Sequence, residues 1–184
     1  MLVTVLTLVF VFGASGLLEA RAATTVALGN ADGFAILGNT TVTNTGSSVI
    51  TGDLGVSPGS AVTGFPPGTL NGTQHAADTA ALNAQTSLVT AYNDAAGQSA
   101  TTVPTELGGT TKTAGVYDSA GGTFTITGTL TLDAQGDPNA VFIFKTATTL
   151  TTAGASVVSL INGAQACNVF WQVGSSATLG TSST

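Results

Sequence analysis

Five threonines stand close together at Thr146, Thr148, Thr149, Thr151 and Thr152, directly after four large apolar residues, Val141 to Phe144. Each threonine carries a methyl and a hydroxyl on one short side chain. In an extended strand, residues i and i+2 point the same way about 6.6–6.8 Å apart, and neighbouring strands lie about 4.7–4.9 Å apart. Threonines repeated on such a lattice would form a grid of methyls with hydroxyls between them. The methyls favour ordered, cage-like water and the hydroxyls anchor that layer by hydrogen bonds. The plain alternative is that threonine is a good strand former on a solvated face. Within the stretch from Val141 to Gly163 the only charged residue is Lys145. In a strand only one alternating set faces out; Leu150 is the best inward candidate, which turns Thr149 and Thr151 outward and leaves Thr148 and Thr152 near or inside.

The residues that could support catalysis are few and scattered. His75 has one Cys in the whole chain and no second His to work with, and reads as a solvated residue at a helix entry. Asp133 and Asp137, in DAQGDPN, flank Gly136 and precede Pro138, which favours a turn over a calcium loop or a carboxylate pair. Lys145 reads as a corner charge, Cys167 as a small buried hydrophobe, and Trp171, in VFWQV, as core rather than a sugar platform. No metal ligand set and no cofactor are expected. A solenoid lyase or hydrolase would need grouped carboxylates and basic residues, so an enzyme is not expected. An adhesin or cell-surface structural module is the alternative that a low-charge Thr/Ser fold leaves open.

Composition explains why threonine must form the surface. The 184 residues include 34 Thr, 14 Ser and 24 Gly, but only 7% are charged, with three basic residues against nine acidic ones. Nucleic acid is not an expected partner, because phosphate binding relies on clustered Lys and Arg. A single cysteine rules out an internal disulfide framework. Apolar content is high and charge is low, the opposite of a disordered chain.

The elements that would hold the threonines follow from periodicity. The N-terminus, MLVTVLTLVFVFGASGLLEARAATT, combines an apolar run from Leu2 to Phe12 with Ala20-Arg21-Ala22 as a cleavage site, and so reads as a secretory segment over residues 1–22 cut near Ala22. No small-molecule substrate is expected, and the mature protein should be a secreted monomer. From Gly33, β-branched residues alternate with Gly, Asn and Ser turn signals. From Ala76 to Ala96 there is neither Gly nor Pro. Ala77, Ala80, Ala81, Ala84, Leu88, Ala91, Tyr92 and Ala95 then fall on one helical stripe, with Gly97 as terminator. Strand character resumes in TFTITGTLTL, Thr123 to Leu132, which adds Thr127 and Thr129 to the candidate surface. A loose repeat relates VFIFKTATTLTT to VFWQVGSSATLGT, separating Val141 from Val169 by 28 residues and Leu150 from Leu179 by 29. It adds Ser175 and Thr178. A period in the twenties with short strands indicates a β-solenoid. The unalternating Val141–Phe144 run must be covered on both sides, and the alanine-striped helix is the available cover.

The stretches VTGDLGVSPGSAVTGFPPG, TAYNDAAG, LTLDAQGDPNAVFIFK and LINGAQACNVFWQVGSSATLGTSST resemble the ice-binding protein family of DUF3494 type, from about Val26 to Thr184. The resemblance implies a mainly β fold: a right-handed, discontinuous β-solenoid of triangular section with one long α-helix alongside, over residues 23–184. It implies adsorption to an ice surface through one flat face. The family's T-A/G-x-T/N pattern is matched by Thr146-Ala147-Thr148-Thr149. One coil later the sequence reads Gly174-Ser175-Ser176-Ala177, so the pattern is not strictly repeated. Family members usually continue with further coils, which implies that this chain lacks the last ones.

Overall fold

The computed structural model describes residues 22–184; the expected secretory segment, up to Arg21, lies outside the described residues. Seventeen short strands and one α-helix follow one another in repeating turns of the chain. The first turn is β1 (Phe34–Gly38), β2 (Thr41–Thr43) and β3 (Val49–Thr51); the second is β4 (Asp53–Val56), β5 (Ala61–Thr63) and β6 (Thr69–Asn71). β7 (Gln74–Ala76) leads into the helix α1 (Thr79–Gly97). β8 (Thr101–Val103) and β9 (Thr111–Thr113) open the second stack. Two full turns follow, β10 (Gly115–Ser119), β11 (Phe124–Ile126) and β12 (Thr129–Asp133), then β13 (Phe142–Thr146), β14 (Thr149–Thr152) and β15 (Val157–Ile161). β16 (Val169–Val173) and β17 (Ser176–Thr178) end the chain.

Every pairing is parallel and joins equivalent strands of successive turns: β1-β4-β7 and β8-β10-β13-β16 on the first side, β2-β5 and β11-β14-β17 on the second, β3-β6 and β9-β12-β15 on the third. This is a three-sided β-solenoid with one helix alongside, as the resemblance implies.

The register corrects the repeat read from the sequence. Phe142 pairs with Val169 and Phe144 with Trp171, an offset of 27 rather than 28. In a strand a one-residue slip exchanges the two faces. The true register puts Phe144 and Trp171 inside together, with ring centroids 4.4 Å apart and planes 16° from parallel. The slipped one would oppose Phe144 to Gln172. The residues equivalent to Thr146-Ala147-Thr148-Thr149 are therefore Val173-Gly174-Ser175-Ser176, one position earlier than the sequence comparison placed them.

The interior is filled by Phe124, Ile126, Leu130, Leu132, Phe142, Phe144 and Leu150, all buried. The Val141–Phe144 run is covered on both sides as expected. Phe142 and Phe144 enter the interior, while Val141 and Ile143 pack with Val116 and Val26 against Ala91 and Ala95 of α1. Of the helical stripe, Ala81, Ala84, Ala91 and Ala95 are buried, and Tyr92 remains exposed.

The helix starts three residues later than its sequence pattern suggests. Residues 74–76 pair with β4 instead, and Ala77 reverses the chain with φ of 54°. Asp78 then caps the helix, its Oδ1 accepting from the Ala81 amide at 2.9 Å, which serves one of the orphan donors of the first turn. His75 is not a freely solvated residue: its Nδ1 lies 2.7 Å from Asp78 Oδ2 and its ring 5.4 Å from that of Phe34. The Ala81 amide bond and the contact with His75 hold the Asp78 carboxyl below the usual carboxylate range.

Lys145, read as a corner charge, instead closes the other end of the helix. Its ammonium donates to the carbonyls of Ala96 at 2.9 Å and Gln98 at 2.5 Å, where the negative end of the helix dipole favours a cation. We expect Lys145→Met to lower the unfolding free energy by about 1–3 kcal/mol, since hydrogen bonds from a charged donor are the stronger ones. A chemical denaturation midpoint unchanged from wild type would contradict this.

Candidate functional site

The second side of the solenoid is where the threonines collect. On β14, Leu150 points inward, 5% exposed, and alternation turns Thr149 and Thr151 out. Thr151 pairs with Thr125 on β11 and Thr178 on β17, making a row of three threonines across three strands. Thr149 pairs with Ser176 in the adjacent row. The same side in the first stack carries Thr41 opposite Ala61 and Thr43 opposite Thr63, with Val42 and Val62 turned the other way. No Lys, Arg or Asp lies on these five strands.

The corners hold the strands in place with hydroxyls. Thr146, despite its position in the matched pattern, is turned in and only 3% exposed; its Oγ1 donates to the Gly122 carbonyl at 2.6 Å. Thr148 is exposed, yet its hydroxyl is spent on the same carbonyl at 2.7 Å. One turn later Ser175 donates to the Thr148 carbonyl at 2.8 Å. The pattern thus builds a corner as well as a surface. Gly174 is required there, because a Cβ would lie 2.0 Å from the Ala147 carbonyl oxygen.

At the β11 edge of this face sits Glu106, bridged to Thr125. Its carboxylate accepts from the Thr127 amide at 2.9 Å, the Gly108 amide at 2.6 Å, the Thr125 hydroxyl at 2.9 Å and the Thr127 hydroxyl at 3.0 Å. Partial burial pushes its pKa up, but these donors outweigh it and hold the group below its ordinary value of 4.5. A carboxylate with a depressed folded pKa contributes stability that is full above its unfolded pKa and is lost as pH falls through the folded one. Melting temperature should therefore fall less on acidification below about pH 4 in Glu106→Gln than in the wild type. Parallel curves for the two would contradict the assignment.

Among the sequence candidates, the structure brings Thr149, Thr151 and Thr178 together on one face, with Thr148 and Ser175 at its corner. Thr127 lies at the opposite edge, tied to Glu106. Thr129 is not with them: the chain turns at Gly128, with φ of 79°, so that Thr129 opens β12 on the third side, opposite Val157. TFTITGTLTL is thus two strands around a corner rather than one. That third side also carries Thr111, Thr131 and Ser159 in a row, beside Asp133 opposite Ile161. The first side is covered by α1. Sequence reasoning missed Thr41, Thr43, Thr63 and Thr125 as members of the second side; the TVT and AVT triplets carried the signal, but only the register assigns them to it.

Asp133 and Asp137 form turns, accepting from the amides of Gln135 and Asn139 at 2.8 Å each. Cys167, expected to be buried, is exposed in the short 3-10 turn Ala166–Asn168, which links β15 to β16 outside the strand ladders. Trp171 packs inside on Phe144 and is half-buried. Lys112 points inward beside Leu132, its ammonium 5.9 Å from the centre of the Tyr117 ring, and burial lowers its pKa.

A three-sided parallel solenoid with a helix along one side and an open, threonine-rich lattice on another defines the chain as a β-solenoid protein of the single-helix type. The chain belongs to the ice-binding-like family, whose model matches residues 36–184. It is 52% identical over 169 residues to an ice-binding protein of Nostoc sp. (strain HG1), covering 89% of this chain and 61% of that protein. It is 38% identical to ice-binding protein 1 of Shewanella frigidimarina, covering 84% of this chain and 21% of that protein. The chain therefore spans under two thirds of the length of these relatives. The crystal structure of an ice-binding protein from the Antarctic ascomycete Antarctomyces psychrotrophicus superposes with a TM-score of 0.84 at 43% identity, over 87% of this chain and 79% of that one. An ice-binding protein from an Antarctic biological consortium gives 0.87 at 45% identity, over 91% and 77%.

Proposed function

We propose that this chain adsorbs to ice through the second side of its solenoid and so inhibits ice growth and recrystallisation. The observation that carries the reading is the row Thr125–Thr151–Thr178 with its neighbour Thr149–Ser176, set on paired strands in one register. Strand spacing fixes the methyls and free hydroxyls on a two-dimensional lattice. Water over the methyls is held in an ordered layer, and the hydroxyls of Thr151 and Thr178, which have no partner among the described residues, can anchor it. Lys or Asp at these positions would centre water on an ion instead. No bond is made or broken in this activity, and no cofactor or metal takes part. Uptake of the fluorescently labelled chain into a slowly growing ice hemisphere tests the proposal; exclusion into the liquid, as for an ordinary globular protein, would refute it.

A protein that meets ice works outside the cell, and we infer export with cleavage near Ala22, supported by the apolar run and the Ala20-Arg21-Ala22 site. The mature N-terminus of protein recovered from the medium should begin at Ala23. Recovery only from the cytosol with Met1 intact would contradict this.

A further inference from the structure

Away from the threonine face, a cleft of about 260 Å³ lies between the C-terminal end of α1 and the first-side strands. Its floor is a row of polar side chains on three adjacent strands, Asp118 on β10, Lys145 on β13 and Gln172 on β16, paired directly across the sheet. Tyr92 and Ala96 of the helix form one wall and Gly174 part of the other. Lys145 does not neutralise its neighbour. Its ammonium is drawn to the Ala96 and Gln98 carbonyls, and Asp118 Oδ1, although buried, receives no hydrogen bond. The Gln172 carboxamide and the Tyr92 hydroxyl have no hydrogen-bond partner among the described residues either. Buried polar groups in native proteins are nearly always paired, so an acceptor left empty beside a cleft calls for a partner.

We propose that this cleft binds a single ring of a neutral saccharide. An anion would meet Asp118 and a cation would meet Lys145, whereas a polyhydroxyl ligand satisfies both. Its hydroxyls can donate to the Asp118 carboxylate after a small turn of that group, accept from Gln172 and from the third ammonium proton of Lys145, and its C–H face can lie on Tyr92. An apolar body with a polar rim is the kind of surface an aromatic ring with a hydroxyl receives. A volume of about 260 Å³ accommodates one sugar ring, such as the end residue of an extracellular polysaccharide.

The test is a titration of the ¹⁵N-labelled chain with glucose, galactose and N-acetylglucosamine, followed by amide shifts, with sodium chloride as a separate arm. At least one sugar should give saturable shifts at Ala96, Gln172 and Gly174 in the millimolar range. Gln172→Ala and Asp118→Asn, each shown folded by an unchanged spectrum elsewhere, should weaken that binding about tenfold or more, a change of about 1.4 kcal/mol, and leave ice uptake intact. The absence of saturable shifts with all three sugars would overturn the proposal. So would equal shifts from sodium chloride alone, which would mark a cation site, or full binding retained in both variants.

Discussion

Phe144→Ala should be the most destabilising single truncation in the second stack, costing about 3–5 kcal/mol of unfolding free energy. The ring is fully buried and sits at the centre of an aromatic column. Trp171 stacks on it at 4.4 Å, Tyr117 at 5.4 Å on its other side, and Phe124 meets it edge-on at 6.1 Å. Stacked and edge-to-face pairs add to what area burial alone contributes. The site is also poorly able to collapse, because parallel backbone pairing fixes the strands that carry Tyr117, Phe144 and Trp171 at one spacing. Phe170→Ala, on the neighbouring strand but turned towards the helix and only half-buried, should cost clearly less. Urea unfolding of both variants, at a common slope, gives the comparison. A loss below about 1 kcal/mol for Phe144→Ala would mean that the column does not hold the turns together.

Much of the fold was legible because its signals are local. Alternation gave Leu150 as inward and Thr149 and Thr151 as outward, the absence of Gly and Pro gave the helix, and the unalternating Val141–Phe144 run demanded cover on both sides. Quantities set by pairing between distant turns were not legible. The repeat was read at 28 residues because Val141 and Val169 both begin a Val-Phe pair, but the ladder joins Phe142 to Val169. Side chains alternate strictly, so that single residue decides whether Trp171 or Gln172 enters the core beside Phe144. Cys167 reads as buried from its small and apolar neighbours, yet it stands exposed in the turn before β16. Lys145 could not be linked to Ala96 and Gln98 from the sequence, since 49 and 47 residues separate them.

The threonine surface shows the same division. Composition and alternation announce that threonine faces water, but not which threonines share a side. Thr146 lies within the matched pattern and is nevertheless consumed at the corner by the Gly122 carbonyl. Thr125 and Thr127 belong to the second side but give their hydroxyls to Glu106. What remains open is the lattice on β14 and β17, whose rows are fixed by register and so become visible only with the fold.

The second large effect is therefore expected at the centre of that lattice. Thr151 is exposed on the middle strand of three, flanked by Thr125 and Thr178. A tyrosine there would stand several ångströms proud of the methyl plane and hold an ice surface away from every neighbouring threonine at once. An exposed strand position accepts an aromatic ring at little cost to the fold. Thr129→Tyr makes the same change on the third side, where Thr129 lies opposite Val157. The decisive measurement is thermal hysteresis, with ice-hemisphere uptake, for wild type, Thr151→Tyr and Thr129→Tyr, each shown to be folded by circular dichroism. Thr151→Tyr should lose at least about tenfold in activity, as a contact surface held off its partner loses most of its binding free energy, while Thr129→Tyr keeps wild-type activity. A folded Thr151→Tyr with undiminished activity, or a selective loss in Thr129→Tyr, would contradict the assignment of ice adsorption to the second side.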